Sequence, residues 1–272
     1  MSAYYVEKIL SVHHWNSNYF SFTCTRNESL RFDNGQFLLV GLQIPEASHP
    51  LVRAYSIASA NWEEQLTFFS IKIADGALTS LLQHIKVGDE VLISKKPTGT
   101  LVLSDLLPGK YLYLLATGTG LAPFLSLTKD PEIYERFEKI ILIHGVRKIE
   151  DLAYRDYFEK ELAQHEYLGN MVTKQLIYYP MVSREPFIHE GRITKQIISE
   201  QLFKDIGLAP FDRERDRVMI CGGPSMLKDL VNILKERGLI ISPKRGVPGD
   251  FLIERALSLI HISEPTRQEA IS

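Results

Sequence analysis

The stretch LVRAYSIASA (51–60) places a guanidinium, a phenol and a hydroxyl group within four consecutive residues, Arg53-Ala54-Tyr55-Ser56. Its composition is that of a strand, in which successive side chains point to opposite faces. Arg53 and Tyr55 therefore share one face, and Ser56 takes the other. Taken alone, the pattern favours a solvated strand face with a cation–π contact. Only the rest of the chain can favour a binding role instead.

A glycine-containing junction, ATGTGLAPF (116–124), follows a strongly apolar run. Gly118 and Gly120 would let the backbone approach a ligand closely, and the helix that follows would offer free N–H groups to an anion. The usual dinucleotide fingerprint needs a third glycine, but Pro123 occupies that position. The junction is therefore compatible both with a ligand loop and with a plain turn.

Arginines follow the next two apolar runs. Arg147 comes directly after KIILIHG, where a carboxylate would indicate NAD and an arginine favours the 2′-phosphate of NADP. Arg184 follows Ser183 at the end of the next run, and Arg192 comes shortly after it. A single arginine at a strand end is usually a surface residue. Two strand ends that deliver arginine to one sheet edge favour a phosphate site, because phosphates bind clustered guanidinium groups.

The last apolar run ends in Cys221-Gly222-Gly223-Pro224. A cysteine at the end of a buried strand is more often a small core residue than a reactive one. No neighbouring histidine in the sequence indicates an activated thiolate. The two glycines, however, leave room for a flat ring against the backbone.

The elements that would position these residues change in character near residue 105. The segments before it are short, rich in β-branched and aromatic residues, and predict strands at YFSFTCT (19–25), GQFLLVGL (35–42), LTFFSIKI (66–73) and DEVLISKK (89–96). This spacing predicts an antiparallel barrel or sandwich. A small helix is predicted at LTSLLQHI (78–85), with Thr79 or Ser80 as its cap.

After Pro108, strand and helix patterns alternate, which predicts a doubly wound parallel sheet. The predicted strands are nearly continuous apolar runs: YLYLLATG (111–118), KIILIHG (139–145), QLIYYPMV (175–182) and RVMICGG (217–223). The predicted helices are YRDYFEKELAQH (154–165), TKQIISEQLF (194–203) and SMLKDLVNILKERG (225–238).

The composition of the 272 residues excludes several classes of function. The formal net charge of −2 gives no basic field for nucleic acid, and no apolar run approaches membrane-spanning length. The start of the chain lacks the features of a signal peptide. Two cysteines exclude a disulfide scaffold and a cysteine-based zinc or iron–sulfur site within the chain. We expect a cytoplasmic protein with no metal.

Taken in order, these motifs resemble the ferredoxin–NADP⁺ reductases, most closely the bacterial branch, over about residues 4–256. The resemblance rests on Arg53-Ala54-Tyr55-Ser56, GALTS (76–80), Gly118-Thr119-Gly120, Ser183-Arg184-Glu185 and Cys221-Gly222-Gly223-Pro224. It implies an antiparallel FAD-binding β-barrel over residues 1–104 and a doubly wound, five-stranded parallel NADP-binding α/β domain over residues 105–256.

The resemblance also implies a role for each motif. Arg53, on the strand with Ala54, would pair with the FAD pyrophosphate, Tyr55 would pack on the isoalloxazine, and Ser56 would hydrogen-bond near flavin N5. Backbone groups at a helix start would hold the same pyrophosphate, namely those of Leu78, Thr79 and Ser80. Thr119, between Gly118 and Gly120, would lie where the cofactors meet. The 2′-phosphate site would comprise Arg147, Ser183, Arg184 and Arg192. Cys221, followed by Gly222, would lie beside nicotinamide C4, and the catalytic candidates are Ser56, Cys221 and Glu254.

The implied activity is hydride transfer between NADPH and flavin N5, coupled to electron transfer with ferredoxin or flavodoxin. The alternatives within this superfamily are an NADPH-dependent flavin reductase and the reductase partner of an oxygenase. A non-catalytic FAD redox sensor is a further alternative, against which the arginine set speaks. We expect a monomer that binds neither nucleic acid nor a membrane. Lys95, Lys96, Lys244 and Arg245 are candidates for contact with an acidic partner, although ordinary solvated lysines are the simpler interpretation.

The resemblance ends at the run GDFLIERA. Similar bacterial reductases end soon after this run with an aromatic residue, whereas Leu257 stands here and the chain continues to Ser272. Residues 257–272 are therefore interpreted as an atypical tail, which is either foreign to the fold or an ordinary terminus without effect on the site.

Overall fold

The computed structural model describes residues 3–45 and 47–255. Its strands are β1 (Tyr4–His14), β2 (Tyr19–Thr25), β3 (Phe37–Leu42), β4 (Leu51–Ser56), β5 (Gln65–Ile71), β6 (Glu90–Ser94), β7 (Tyr111–Thr117), β8 (Lys139–Val146), β9 (Leu176–Val182), β10 (Asp216–Gly222) and β11 (Phe251–Arg255). Its α-helices are α1 (Thr79–Leu82), α2 (Ala122–Leu127), α3 (Pro131–Arg136), α4 (Gly169–Gln175), α5 (Ile193–Ile198), α6 (Gln201–Ile206) and α7 (Pro224–Glu236). The interpretation of residues 257–272 falls outside the described part.

The first six strands form one antiparallel sheet in the order β4-β3-β6-β1-β2-β5. The sheet curls until its two edges meet, where Ile57 forms a bridge with Phe68 and Ala58 N donates to Thr67 O at 2.8 Å. Joining the edges removes the unpaired strand edges of an open sheet. The enclosed core is rich in aromatic side chains, including Phe20, Phe22, Phe68 and Tyr55.

The remaining five strands form a parallel sheet in the order β11-β10-β7-β8-β9. Both faces are covered, because separate hydrophobic clusters pack on each side of it. This burial explains the continuous apolar runs in the sequence. The predicted fold class, an antiparallel barrel followed by a doubly wound five-stranded α/β sheet, is confirmed, and all eight strand segments named from the sequence end within two residues of the observed strands.

The predicted helices are less accurate. The segment predicted as a helix over 154–165 instead contains a π-helical turn (Tyr157–Glu161) and a 3₁₀ turn (Leu162–Gln164). Tyr154, just before it, has a positive φ of 61° and packs its ring 4.4 Å from that of Trp15. Packing of the aromatic residues against the core thus overrides regular helical geometry, as at other π-turns.

Two further details differ from the prediction. The helix predicted over 194–203 is two helices, α5 and α6, because Glu200 adopts a left-handed conformation between them. Neither Thr79 nor Ser80 caps α1; the N-cap residue is Leu78, which has no side-chain hydrogen bond, while Thr79 Oγ1 donates to Ile73 O at 3.2 Å. Within the described residues, no helix combines the length and apolar character needed to cross a bilayer.

Candidate functional site

The direction of chain progression reverses at β7 in the parallel sheet. From β7 the chain proceeds through β8 and β9 on one side, and β10 and β11 lie on the other. Such a switch point leaves a crevice at the carboxyl ends of the strands, where ligands bind in open α/β sheets. The segments that end here are the glycine junction after β7 and the Cys221-Gly222 end of β10. The candidate residues of both motifs therefore meet at the expected crevice.

The glycines at this crevice allow close backbone contact. A Cβ at Gly120 would lie 2.1 Å from the carbonyl oxygen of Cys221, so no other residue fits without moving one of the two loops. Gly118 has a φ of +54°, and a Cβ there would lie 3.1 Å from the hydroxyl of Tyr19 on the barrel. The 3₁₀ turn Gly118–Leu121, which contains Thr119, also contacts β5. Thr119 is thus placed where the barrel and the parallel sheet meet.

The space beside Gly222 differs from the sequence-based expectation of room for a flat ring. A Cβ at this position would meet Thr117 Oγ1 at 2.4 Å and the terminal methyl group of Met226 at 2.3 Å. A planar ring could approach this backbone only after the flexible Met226 side chain had moved. The role of Gly222 in cofactor binding remains a prediction.

Two of the candidate catalytic residues, Ser56 and Cys221, come from distant parts of the chain and lie beside the third, Glu254. Cys221 is paired with Glu254 in the register of β10 and β11, so the two side chains point to the same face. The side chain of Ser56, at the end of β4, lies against the Glu254 carboxylate. Only 8 % of Glu254 and 1 % of Cys221 are exposed. The convergence joins the barrel to the parallel sheet.

The environment of Glu254 favours its neutral form. Burial raises the pKa of its carboxyl group to about 7, and hydrogen bonding from the Thr100 backbone and the Ser56 side chain offsets part of this effect. Thr100 N donates to Oε2 at 3.1 Å, while Oε1 has no hydrogen bond of normal geometry in the described part of the chain. Glu254 can therefore exchange a proton near neutral pH through an atom that is not otherwise engaged.

Cys221 has the opposite character to a reactive thiolate. Burial, and secondarily the charge of Glu254, raise the pKa of the Cys221 thiol well above its usual value. The thiol therefore stays protonated and acts as a small apolar neighbour of the site. This agrees with the absence of a neighbouring histidine in the sequence.

Arg53 and Tyr55 lie in β4, opposite Val40 and Leu38 of β3. Arg53 Nη1 donates to the carbonyl oxygen of Val52 at 2.7 Å, and its guanidinium forms no ion pair with any described residue. It can accept an anionic ligand. Tyr55 is only 5 % exposed, and its ring and that of Phe68 pack in a T-shaped arrangement. Its stacking on a flavin remains a prediction.

The backbone amides predicted to bind the pyrophosphate lie at the start of α1, a helix of only four residues. Ser80 N already donates to Gly76 O at 3.0 Å, whereas the amides of Leu78 and Thr79 have no acceptor among the described residues. Two of the three predicted amides are therefore open to a ligand. A helix of four residues adds little dipole, so the contribution would come from these hydrogen bonds themselves.

The arginines predicted to bind a 2′-phosphate lie on adjoining loops. Arg184 N donates to Arg147 O at 2.9 Å, and Ser183 N and Oγ both donate to Val146 O at 3.1 Å. Arg192 is held nearby, because Gly191 N donates to Val182 O at 2.8 Å. All three guanidinium groups are exposed and lack an ion-pair partner within residues 3–45 and 47–255. The loops that carry the three arginines therefore adjoin one another, and clustered guanidinium groups on them would suit a phosphate.

A cleft of about 880 Å³ opens beside Glu254, between the barrel and the end of β11. Thr100 and Gly99 form one wall of it. Its lining also carries four cationic and one further acidic side chain: Arg31, Lys96, Arg245, Arg255 and Asp33. The cleft is therefore predominantly basic. Of the four basic residues named from the sequence, Lys96 and Arg245 line it.

Sequence reasoning missed Thr100 and Tyr19. Thr100 fixes the end of β11 twice, because its Oγ1 also donates to Ile253 O at 2.9 Å. The segment KKPTGT gives a turn signal but no indication of a partner at the other end of the chain. Tyr19 lies in a strand that was predicted correctly, yet only the tertiary structure shows that its hydroxyl faces Gly118.

Comparison with known proteins identifies both halves of the chain. A family model for an oxidoreductase FAD-binding domain matches residues 6–103, and one for an oxidoreductase NAD-binding domain matches residues 114–232. The predicted boundary between residues 104 and 105 falls in the interval between these matches and remains a prediction.

Similar proteins span nearly the whole chain. The ferredoxin–NADP reductase of Pseudomonas aeruginosa is 60 % identical over 94 % of this chain and 98 % of its own length. The flavodoxin/ferredoxin–NADP reductase of Rhodobacter capsulatus is 44 % identical over 92 % of each chain. A ferredoxin NADP⁺ reductase from Neisseria gonorrhoeae, solved with bound FAD and NADP, superimposes with a TM-score of 0.84 at 32 % identity, covering 94 % of this chain and 99 % of that chain. With this fold and this site, the chain belongs to the ferredoxin–NADP reductase family of oxidoreductases.

Proposed function

We propose that this protein transfers electrons between NADPH and ferredoxin or flavodoxin through bound FAD. The observation that carries the proposal is the convergence of Ser56, Glu254 and Cys221 at the switch point of a nucleotide-binding sheet. The named activities of the relatives support both the reaction and the two carriers.

The described residues fit both cofactors. The unpaired guanidinium of Arg53 and the open amides of Leu78 and Thr79 suit a pyrophosphate, and the cluster around Arg184 suits a 2′-phosphate. Oε1 of buried Glu254 has no hydrogen-bond partner among the described residues and so marks a position where a polar group is needed, since buried polar atoms are nearly always hydrogen-bonded. Bound FAD would supply the conversion between two-electron hydride transfer and single-electron transfer.

The protein's own contribution is to orient the cofactors and to hold a proton. Thr100 N donates to Oε2 of Glu254, so Oε1 can carry the proton, and the side chain of Ser56, which lies against the carboxyl group, can pass that proton toward the end of β4. A carboxyl group with a pKa of about 7 is well suited to general acid–base work at neutral pH.

An anaerobic titration tests the function. We expect the purified protein to be yellow, to be bleached by stoichiometric NADPH and far more slowly by NADH, and to be reoxidised by ferredoxin or flavodoxin. A colourless protein that gains no flavin on incubation with FAD would contradict the proposal. Rapid reduction of free flavin without reduction of either carrier protein would instead indicate a flavin reductase.

We further propose the basic cleft beside Glu254 as the docking surface for an acidic carrier. Arg245 Nη2 is partly neutralised by Asp33 Oδ2 at 2.8 Å, and Arg31 donates to backbone carbonyls. Lys96 is exposed and has no ion-pair partner among the described residues. Arg255 is likewise exposed and has no ion-pair partner among these residues, so Lys96 and Arg255 are the two cations of the cleft most available to steer a negatively charged partner.

Reversing the charge of Lys96 should weaken the docking of the carrier protein and leave the reaction with NADPH unchanged. We expect Lys96→Glu to raise the KM for ferredoxin about 10-fold at low ionic strength, and less at high salt, because rim charges act mainly on association. Reduction of ferricyanide by NADPH should be unchanged. Lys204→Glu, an equal charge change at an exposed position on α6, serves as the control. Equal effects of the two substitutions on ferredoxin reduction would exclude a specific docking role.

Three further features are proposed on indirect support. Cys24 and Cys221 are both unpaired, which fits a reducing cytoplasm. The division into an FAD-binding barrel over residues 1–104 and an NADP-binding domain over residues 105–256 follows the two sheets. The monomeric state is the simplest state for a chain that holds both sites.

A further inference from the structure

The turn between β1 and β2 hydrogen-bonds to the loop after β8, which lies on the other side of the interface between the barrel and the parallel sheet. Asn16 Nδ2 donates to Glu150 O at 2.6 Å and to Asp151 Oδ1 at 3.1 Å. Asn18 Nδ2 donates to the same Asp151 Oδ1 at 3.0 Å. Asp151 is 4 % exposed, so these hydrogen bonds are shielded from competing water.

The barrel side of this contact is itself rigid. Asn16 Oδ1 accepts hydrogen bonds from Asn18 N at 2.7 Å and from Tyr19 N at 2.8 Å, which fixes the orientation of its amide. Lys72 Nζ donates to Asn16 O at 2.6 Å and ties the turn to the neighbouring strand end. The two asparagine amides are therefore presented in one orientation, at little further entropic cost.

The loop that accepts these hydrogen bonds is continuous with Arg147 and contacts the loop of Arg184. Asp151 Oδ2 accepts from Lys148 N at 3.2 Å and closes the turn that begins immediately after Arg147. From this turn, Ile149 N donates to the side chain of Glu185. Together with the hydrogen bond from Arg184 N to Arg147 O, this contact fixes the second arginine loop to the first.

We infer that Asn16 and Asn18 are positioning residues for 2′-phosphate recognition. The hydrogen bonds to Asp151 let the barrel set the position of the turn after Arg147, and so the position of Arg147 itself. Because Arg184 N donates to Arg147 O, the position of Arg184 depends on the same contact. A phosphate site depends on guanidinium spacing, so a small displacement of the loop lowers affinity without removing a ligand contact. The inference rests on the proposed use of NADPH, and it places part of the nucleotide selectivity in the barrel.

The test uses the intact flavoprotein with Asn16→Ala and Asn18→Ala combined. We expect the affinity for 2′-phospho-AMP, measured by calorimetry, to fall about 10-fold, since misplacement is costly even without loss of a contact. The affinity for 5′-AMP should be nearly constant. The KM for NADPH should rise in parallel with the loss of 2′-phospho-AMP binding, while kcat and the FAD content stay constant.

The control is Glu63→Gln, which breaks another contact between the two sheets, the ion pair with Lys129, away from the arginine loops. Unchanged binding of 2′-phospho-AMP in the double variant, or an equal loss in Glu63→Gln, would overturn the inference. If the double variant loses FAD, Asn18→Ala alone carries the same test. A wild-type protein that does not prefer 2′-phospho-AMP to 5′-AMP would refute the proposed function rather than the positioning role.

Discussion

Replacing Glu254 by glutamine is expected to lower steady-state ferredoxin reduction by about 100-fold, the lower end of what general acid–base groups contribute. Glutamine keeps the shape and can still accept the hydrogen bond from Thr100 N, but it cannot carry the exchangeable proton at Oε1. The KM for NADPH should change little, because the loss affects the reaction and not the binding of the nucleotide. Stopped-flow and steady-state rates at saturating NADPH measure the effect.

The pH dependence gives this prediction a second signature. In the wild type, Glu254 holds its proton below its pKa of about 7 and loses it above, so we expect turnover to fall as the pH rises through that value. The inflection should be absent in Glu254→Gln. Glu7→Gln is the matched control, because Glu7 is also buried, at 6 % exposed, but lies within the barrel. A wild-type rate and an unchanged pH profile in Glu254→Gln would rule out the proton-transfer role.

The same group makes stability depend on pH, with a definite sign. The pKa of the Glu254 carboxyl group is about 7 in the folded protein against an ordinary value of 4.5, so the folded state binds the proton more tightly. Stability attributable to this group is therefore full below the unfolded pKa and declines as the pH rises between 4.5 and about 7. The decline is at most about 3.5 kcal/mol, at roughly 1.4 kcal/mol per pKa unit over the 2.5 units between 4.5 and about 7. It should disappear in Glu254→Gln in urea unfolding measurements at the two ends of this range.

The sequence predicts individual strands well, because their signals are local. A buried parallel strand such as KIILIHGV is almost continuously apolar between Lys139 and Val146, and no tertiary information is needed to find it. The helices near Tyr154 and Glu200 are predicted less well, because ring packing and one left-handed residue decide their geometry. Propensity gives only a weak prior against such tertiary contacts.

The candidate site also combines residues that the sequence identifies with contacts that only tertiary packing creates. Ser56 and Glu254 come from opposite ends of the chain, and family resemblance rather than spacing indicated that both were important. Their contact depends on how the barrel packs against the sheet, which no local pattern encodes. The hydrogen bond from Asn16 to Asp151 cannot be inferred from the sequence either. Asparagine is common in turns because of its backbone preferences, so its presence there does not indicate a distant partner. Resemblance transfers the roles of motifs that the chain shares with the family, whereas the contacts between the two sheets are visible only in the structure.

Replacing Arg184 by alanine is expected to raise the KM for NADPH about 10- to 100-fold, from the roughly 1.5–3 kcal/mol of a hydrogen bond to a charged group. Arg184 N donates to Arg147 O, so the loops that carry the two arginines adjoin, and neither guanidinium group has an ion-pair partner among the described residues. The KM for NADH should stay nearly constant, since NADH has no 2′-phosphate. Arg192→Ala should have the same effect for the same reason.

A nearby arginine provides the control for this selectivity. Arg155 Nε pairs with Glu159 Oε1 at 2.7 Å, and its guanidinium lies over the ring of Phe187 at 5.5 Å. Because its charge is already paired, Arg155→Ala should leave the ratio of KM values for NADH and NADPH within about two-fold of the wild type. Arg184→Lys should recover part of the NADPH affinity, as it restores charge without the two-pronged geometry. Equal losses with NADPH and NADH in Arg184→Ala would mean that the substitution damages the fold or the nicotinamide side of the site, and that the 2′-phosphate is recognised elsewhere.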